Sequence, residues 1–147
     1  MADNFLGNFT SSVNKEKWIT LPAQLKKKFS SGDKQTVIVT IGPKRNVAVF
    51  PLTNWNDYIS TLKEKGDQRS RELIFNLRHY ASEERVEPNG RVKIPENLIS
   101  IAKISKKVKI TGDGNYIAVW NPEQYQLFDN EILERHATKF NAMDYQL

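Results

Sequence analysis

The chain contains no cysteine and only two histidines, His79 and His136. The first absence excludes a disulfide-stapled fold, a thiolate zinc site and a cysteine nucleophile. The second excludes a multi-histidine metal centre. Long apolar runs are also missing. No stretch of 18 apolar residues exists, so no membrane-spanning helix is expected. The opening MADNFLGNFT lacks the basic segment and apolar core of a secretory signal. A soluble cytoplasmic protein is the expectation. Catalytic constellations are absent too. His79 lies beside Tyr80 and His136 sits near the tail, neither with a motif partner, and the spacing of carboxylates such as Glu83 and Glu84 does not indicate acid–base work. No catalytic residue is assigned, and the chain is not expected to be an enzyme.

What is present suits a folded chain. The 147 residues are 39% hydrophobic, 10% aromatic and 27% charged, enough for one domain of ordinary size or two small ones. The net charge of +5 permits a nucleic-acid partner without requiring one. Its placement says more. Residues 14–45 hold eight Lys/Arg against Glu16 and Asp33, and residues 85–110 hold seven against Glu87 and Glu96. From residue 121 onward the sign reverses, with five acids against Arg135 and Lys139. Two basic blocks and an acidic end predict a polarised surface.

The basic blocks repeat each other. Val13-Asn14-Lys15-Glu16-Lys17-Trp18-Ile19-Thr20-Leu21-Pro22 aligns with Val86-Glu87-Pro88-Asn89-Gly90-Arg91-Val92-Lys93-Ile94-Pro95, a constant spacing of 73 residues, and a Leu follows each Pro three places on. Downstream, Val37–Thr40 matches Val108–Thr111, and Val47–Phe50 matches Ile117–Trp120. Two copies are too few for a solenoid and suit a pseudo-symmetric domain. The expected organisation is one domain, 1–147, made of two repeats (about 5–65 and 82–135) joined by a helical linker at about 66–81.

Each copy reads as strand, turn, alternating strand and short helix, followed by a hairpin and a longer helix. Pro22 and Pro95 suit the first turn of the short helices. Glycines in Ile41–Asn46 and Gly112–Asn115 are expected to supply positive φ in the hairpin turns. The Gly112–Asn115 turn lacks the spacing of a phosphate-binding loop and the length of a calcium loop. Thr53 is the expected N-cap of a helix with Trp55, Tyr58, Ile59 and Leu62 as its apolar stripe. Leu73, Leu77 and Tyr80 mark a further helix after a break at Gly66-Asp67, and Pro122 opens one carrying Tyr125, Phe128 and Ile132.

The turns at 14–17 and 87–90 are the candidate sites. Arg91 at a hairpin tip, with Lys93 on the same strand face, suits phosphate or guanine. Equally, Glu87 and Arg91 form an acid–arginine pair that braces the turn, and the two roles are compatible. Lys26-Lys27-Lys28 and Lys106-Lys107 are either phosphate contacts or solvated surface. Trp18, Trp55 and Trp120 are suited to stacking bases, though burial in the core or a subunit interface is the expected fate.

Phe5-Leu6-Gly7-Asn8-Phe9, Val13–Ala23 and Glu87–Pro95 together resemble the MraZ proteins, which carry an Asp-x-x-Gly-Arg-x-x-x-Pro pattern in each of two halves. The resemblance covers about residues 3–135. In the first copy Asn14 stands in place of the acid and Lys17-Trp18 in place of Gly-Arg. In the second, Glu87 replaces Asp, and Ile99 stands where an Arg is usual. The resemblance implies an α+β fold, mainly β with short helices, in which tandem β-α-β repeats form a pseudo-two-fold, swapped-hairpin barrel. It implies a cytoplasmic, nucleoid-associated transcriptional regulator of the cell-division and cell-wall gene cluster. Such a protein binds repeated boxes in double-stranded promoter DNA as a ring-like homo-oligomer, without cofactor, metal or small-molecule substrate. The DNA-binding set it implies is Arg91, Lys93, Lys15, Lys17, Lys26 and Lys27, supported by Glu87, Gly90 and Asn14. The alternatives are an oligomeric scaffold on the same fold without DNA binding, and an antitoxin of the AbrB-like class.

Overall fold

A computed structural model describes residues 3–146. The order is β1 (Asn8–Ser12), β2 (Trp18–Thr20), α1 (Ala23–Lys26), β3 (Thr36–Ile41), β4 (Val47–Pro51), α2 (Leu52–Lys65), α3 (Gln68–His79), β5 (Ser82–Arg85), β6 (Arg91–Lys93), α4 (Glu96–Ile101), β7 (Lys107–Gly112), β8 (Ile117–Trp120), α5 (Pro122–Lys139) and α6 (Ala142–Tyr145). Six strands make one antiparallel sheet, β1-β7-β8-β4-β3-β5, and β2 and β6 pair as a separate ribbon.

The register exposes the symmetry. In the central β4–β8 pair Ala48 faces Ala118, and in the ribbon Ile19 faces Val92. These two central residues thus pair with their own equivalents in the other repeat, so a pseudo-two-fold axis passes through both pairs. The halves exchange their first strands. β1 pairs with β7 of the second half, and β5 pairs with β3 of the first. The equivalent registers agree: Ser11 faces Val108, and Glu84 faces Val37.

Two-residue alternation sorts β3 and β4 between two cores. Val37, Val39, Val47 and Val49 join Ile19, Val92, Leu25 and Leu98 between sheet, ribbon, α1 and α4. Ile38, Ala48 and Phe50 point the other way, onto Trp55, Ile59 and Leu62 of α2 and Ile74 and Leu77 of α3. Gly66 closes α2 in the left-handed region and Asp67 caps α3, accepting from the Ser70 N–H at 3.0 Å. Gly112 permits a close approach: a Cβ there would stand 2.4 Å from the Phe5 carbonyl carbon.

Four expectations change. The barrel does not close. After the turns at 14–17 and 87–90, β2 and β6 leave the sheet edges and pair with each other, and Val13 forms an isolated bridge to Ile19 of β2. Pro22 and Pro95 stand one residue earlier than expected, at the N-cap positions of α1 and α4. Thr53 does not cap α2, which starts at Leu52 after Pro51. Its N–H and hydroxyl instead donate to the buried Asp33 carboxylate at 2.9 and 2.6 Å. In the first hairpin Arg45, with φ 56°, takes the left-handed position rather than Gly42. Gly42 is needed for space, because a Cβ would fall 1.9 Å from the Asn46 side-chain oxygen.

Candidate nucleic-acid interface

Both turns share one backbone. In the first, the Lys17 N–H donates to the Asn14 carbonyl at 3.0 Å and the Asn14 N–H to that of Trp18 at 3.1 Å. In the second, Gly90 donates to Glu87 at 2.7 Å and Glu87 to Arg91 at 3.0 Å. The fourth residue is left-handed in each, Lys17 at φ 69° and Gly90 at φ 89°. This is a type I turn followed by a left-handed residue, which makes the sharp reversal a short hairpin needs. The turns also lock onto the opposite copy. Ile94 donates to the Lys17 carbonyl and Leu21 to the Gly90 carbonyl, both at 2.9 Å.

Local chemistry differs between the turns. Asn14 Oδ1 accepts from the Glu16 and Trp18 N–H groups at 3.0 and 2.9 Å, an Asx turn. Asn89 Oδ1 accepts from the Arg91 N–H at 3.1 Å. Lys26 reaches across from α1, its Nζ donating to the Pro88 carbonyl at 2.5 Å. The Lys93 ammonium donates to the Glu16 carbonyl. Each turn is therefore braced by a lysine of the other repeat.

In the ribbon, Ile19 and Val92 are buried, so Trp18, Thr20, Arg91 and Lys93 share the outer face. Trp18 stands opposite Lys93, and Thr20 opposite Arg91. The Arg91 guanidinium carbon lies 4.9 Å from the Trp18 ring centre, and Lys93 Nζ lies 6.0 Å from it. Glu87 Oε1 is 3.8 Å from Arg91 Nε. Both side chains are about two-fifths exposed, 38% and 42%. Such a pair contributes about 0–1 kcal/mol to stability, so its role is orientation. Among the described residues, the two terminal nitrogens of Arg91 have no hydrogen-bond partner and are free to grip an anion.

The expected cations take different places. Arg91 and Lys93 meet on the ribbon face. Lys15 and Lys27 are exposed, Lys15 in the first turn and Lys27 just after α1. Lys17 is half-buried in the left-handed turn position, and Lys26 is occupied by the Pro88 carbonyl. Glu87, Gly90 and Asn14 hold the turns. Trp55 and Trp120 are buried as expected, but Trp18 is half-buried on the outer face. Sequence reasoning left Trp18's part in the site unread. The available signal was its alignment with Arg91 across the repeat. Among the described residues, no cluster of three or more His, Asp or Glu side chains is placed to hold a metal ion.

Fold and site together define a tandem-repeat protein with swapped first strands and a basic hairpin ribbon on its surface. The family described as "MraZ protein, putative antitoxin-like" matches residues 77–145. The transcriptional regulator MraZ of Marinomonas sp. (strain MWYL1) is 27% identical over 140 residues, 90% of each chain. That of Cytophaga hutchinsonii is 25% identical over 143 residues, 94% of this chain and 95% of its own. The protein of the same name from Symbiobacterium thermophilum is 28% identical over 131 residues, 88% and 92% of the two chains. The chain is therefore similar to MraZ proteins along both halves, as its motifs implied. Among the described residues, no helix is long and apolar enough to cross a membrane.

Proposed function

We propose that the chain is a MraZ-like transcriptional regulator that binds double-stranded promoter DNA through the β2–β6 ribbon. Residues 1–147 act as one domain of two repeats, with α3 in the linker region. Arg91 is its reading or clamping residue. Lys93, Lys15, Lys17 and Lys27 supply positive charge that positions the backbone, and Lys26 holds the second turn. The observation that carries this reading is Arg91 itself: half-exposed, its guanidinium over the Trp18 ring, oriented by Glu87, with its terminal nitrogens free. A ring of copies would engage successive DNA boxes and raise affinity through effective concentration. The expected target is DNA upstream of its own division and cell-wall gene cluster, placing the protein in the cytoplasm at the nucleoid. No cofactor or small-molecule substrate is required by this mechanism.

Fluorescence anisotropy with that DNA over a salt series tests the reading. Wild-type affinity should fall as salt rises, because phosphate contacts release counterions. Arg91→Ala should weaken binding by about 5- to 150-fold, the equivalent of about 1–3 kcal/mol. Unchanged binding would remove Arg91 from the interface.

One observation favours the scaffold alternative. Leu127 and Leu133 of α5 are 61% and 58% exposed, an apolar surface suited to another protein. A wild-type chain that assembles but shows no salt-sensitive DNA binding would support it.

A further inference from the structure

The repeat relation places Trp18 at the first-copy position equivalent to Arg91. The two nevertheless sit on one face of one ribbon, diagonal to each other, with the guanidinium 4.9 Å from the ring centre. Diagonal cross-strand neighbours are within reach of aromatic and long side chains. Where a symmetric ribbon would present two cations at these positions, this one presents a cation and an aromatic platform.

We propose that Trp18 is a positioning residue for Arg91, and that the first repeat serves DNA recognition by orienting the second repeat's arginine. The proposal rests on the DNA-binding reading above. Two contacts define the pose. The guanidinium carbon lies over the Trp18 ring and Glu87 approaches Nε, while the terminal nitrogens stay open. An arginine fork is effective where its plane is fixed before contact, because less rotamer freedom is then lost for each bond made. Lys93, at 6.0 Å from the same ring, is held by the Glu16 carbonyl. It supplies charge beside the fork without occupying the stack. Trp18 needs no contact with DNA for this role.

A double-mutant cycle on full-length protein decides it, using double-stranded promoter DNA as the probe. Trp18→Ala should weaken binding about three- to tenfold in the presence of Arg91. It should add no further loss to Arg91→Ala. Trp18→Phe should restore most of the affinity, and the salt slope of Trp18→Ala should match wild type because no cation is removed. Without DNA, NMR should show upfield ring-current shifts on the Arg91 Hδ protons that vanish in Trp18→Ala. An equal loss from Trp18→Ala in both backgrounds would overturn the positioning role while leaving DNA binding intact. So would Arg91 protons without ring-current shifts. No salt-sensitive binding by wild type would overturn the reading of the ribbon itself, and this proposal with it.

Discussion

The turns Asn14–Lys17 and Glu87–Gly90 share a hydrogen-bond pattern and differ in nearly every side chain. The second has glycine where the backbone is left-handed and arginine directly after it. The first accepts a lysine in that strained position and follows it with tryptophan. The ends of the repeats differ in the same spirit. In the first, α2 is anchored to a distant carboxylate, Asp33, and packs with α3 over Phe50. In the second, α5 is capped by its own neighbour Asn121, which accepts from the Glu123 N–H at 2.8 Å, and none of its residues is buried. Backbone geometry is demanded by the swapped pairing, so both copies retain it. Side chains on the outer surface carry no such demand, and there the two copies differ.

The helix ends give the largest test of this contrast. Asp33 is 1% exposed and holds four hydrogen bonds. Burial pushes its carboxyl pKa up, but donation from the Thr53 hydroxyl and N–H and from Ser30 outweighs burial and leaves it below the ordinary aspartate value. Asp33→Asn should cost about 2–3 kcal/mol at neutral pH, because a buried acceptor for charge-assisted bonds is lost. Asn121→Ala, which removes only a local cap, should cost about 1 kcal/mol. The depressed pKa fixes the pH dependence. Its stabilising contribution is complete above the unfolded value, about pH 4, and is lost as pH falls through the folded value. Urea titrations should show the gap between wild type and Asp33→Asn narrowing below pH 4. A constant gap down to pH 2 would refute the charged anchor.

Next in size is the second turn. Gly90 is buried at φ 89°, and a Cβ there would stand 3.3 Å from the Leu21 carbonyl oxygen. Gly90→Lys copies the first turn into the second. It should destabilise by about 1–2 kcal/mol through left-handed strain alone. Equal stability of variant and wild type would mean that both turns tolerate a side chain alike.

The sequence carried the repeat, the hairpins and the helical stripes because these are local periodicities. Val47–Phe50 alternates between two cores, and Trp55, Ile59 and Leu62 fall on one helical face. It did not carry what tertiary contacts decide. Thr53 is chemically a good cap, yet Asp33, twenty residues away, recruits its hydroxyl. Arg45 rather than glycine takes the left-handed place, and Gly42 instead makes room for the Asn46 side chain. Barrel closure failed since β2 and β6 use their pairing on each other. At the candidate site, Arg91, Glu87 and Gly90 were legible as a motif. Trp18's position was not, because its neighbours Arg91 and Lys93 lie more than seventy residues away and reach it only through the ribbon register.

The smallest effect is the most direct probe of the two turns. Lys17 occupies φ 69° without a glycine's freedom, and its neighbour Asn14 absorbs the turn's N–H groups through Oδ1. Lys17→Gly relieves the left-handed strain but raises the entropy of the unfolded chain, so the two contributions partly cancel. A net gain of about 0.5–1 kcal/mol is expected, read as a higher urea midpoint with an unchanged slope. The same variant removes a cation from the ribbon's edge. If Lys17 contacts phosphate, the salt slope of DNA binding should fall by about one while the protein becomes more stable. A stability gain with an unaltered slope would assign the first turn to architecture and leave recognition to the second, whereas a stability loss would show that the lysine side chain holds the turn.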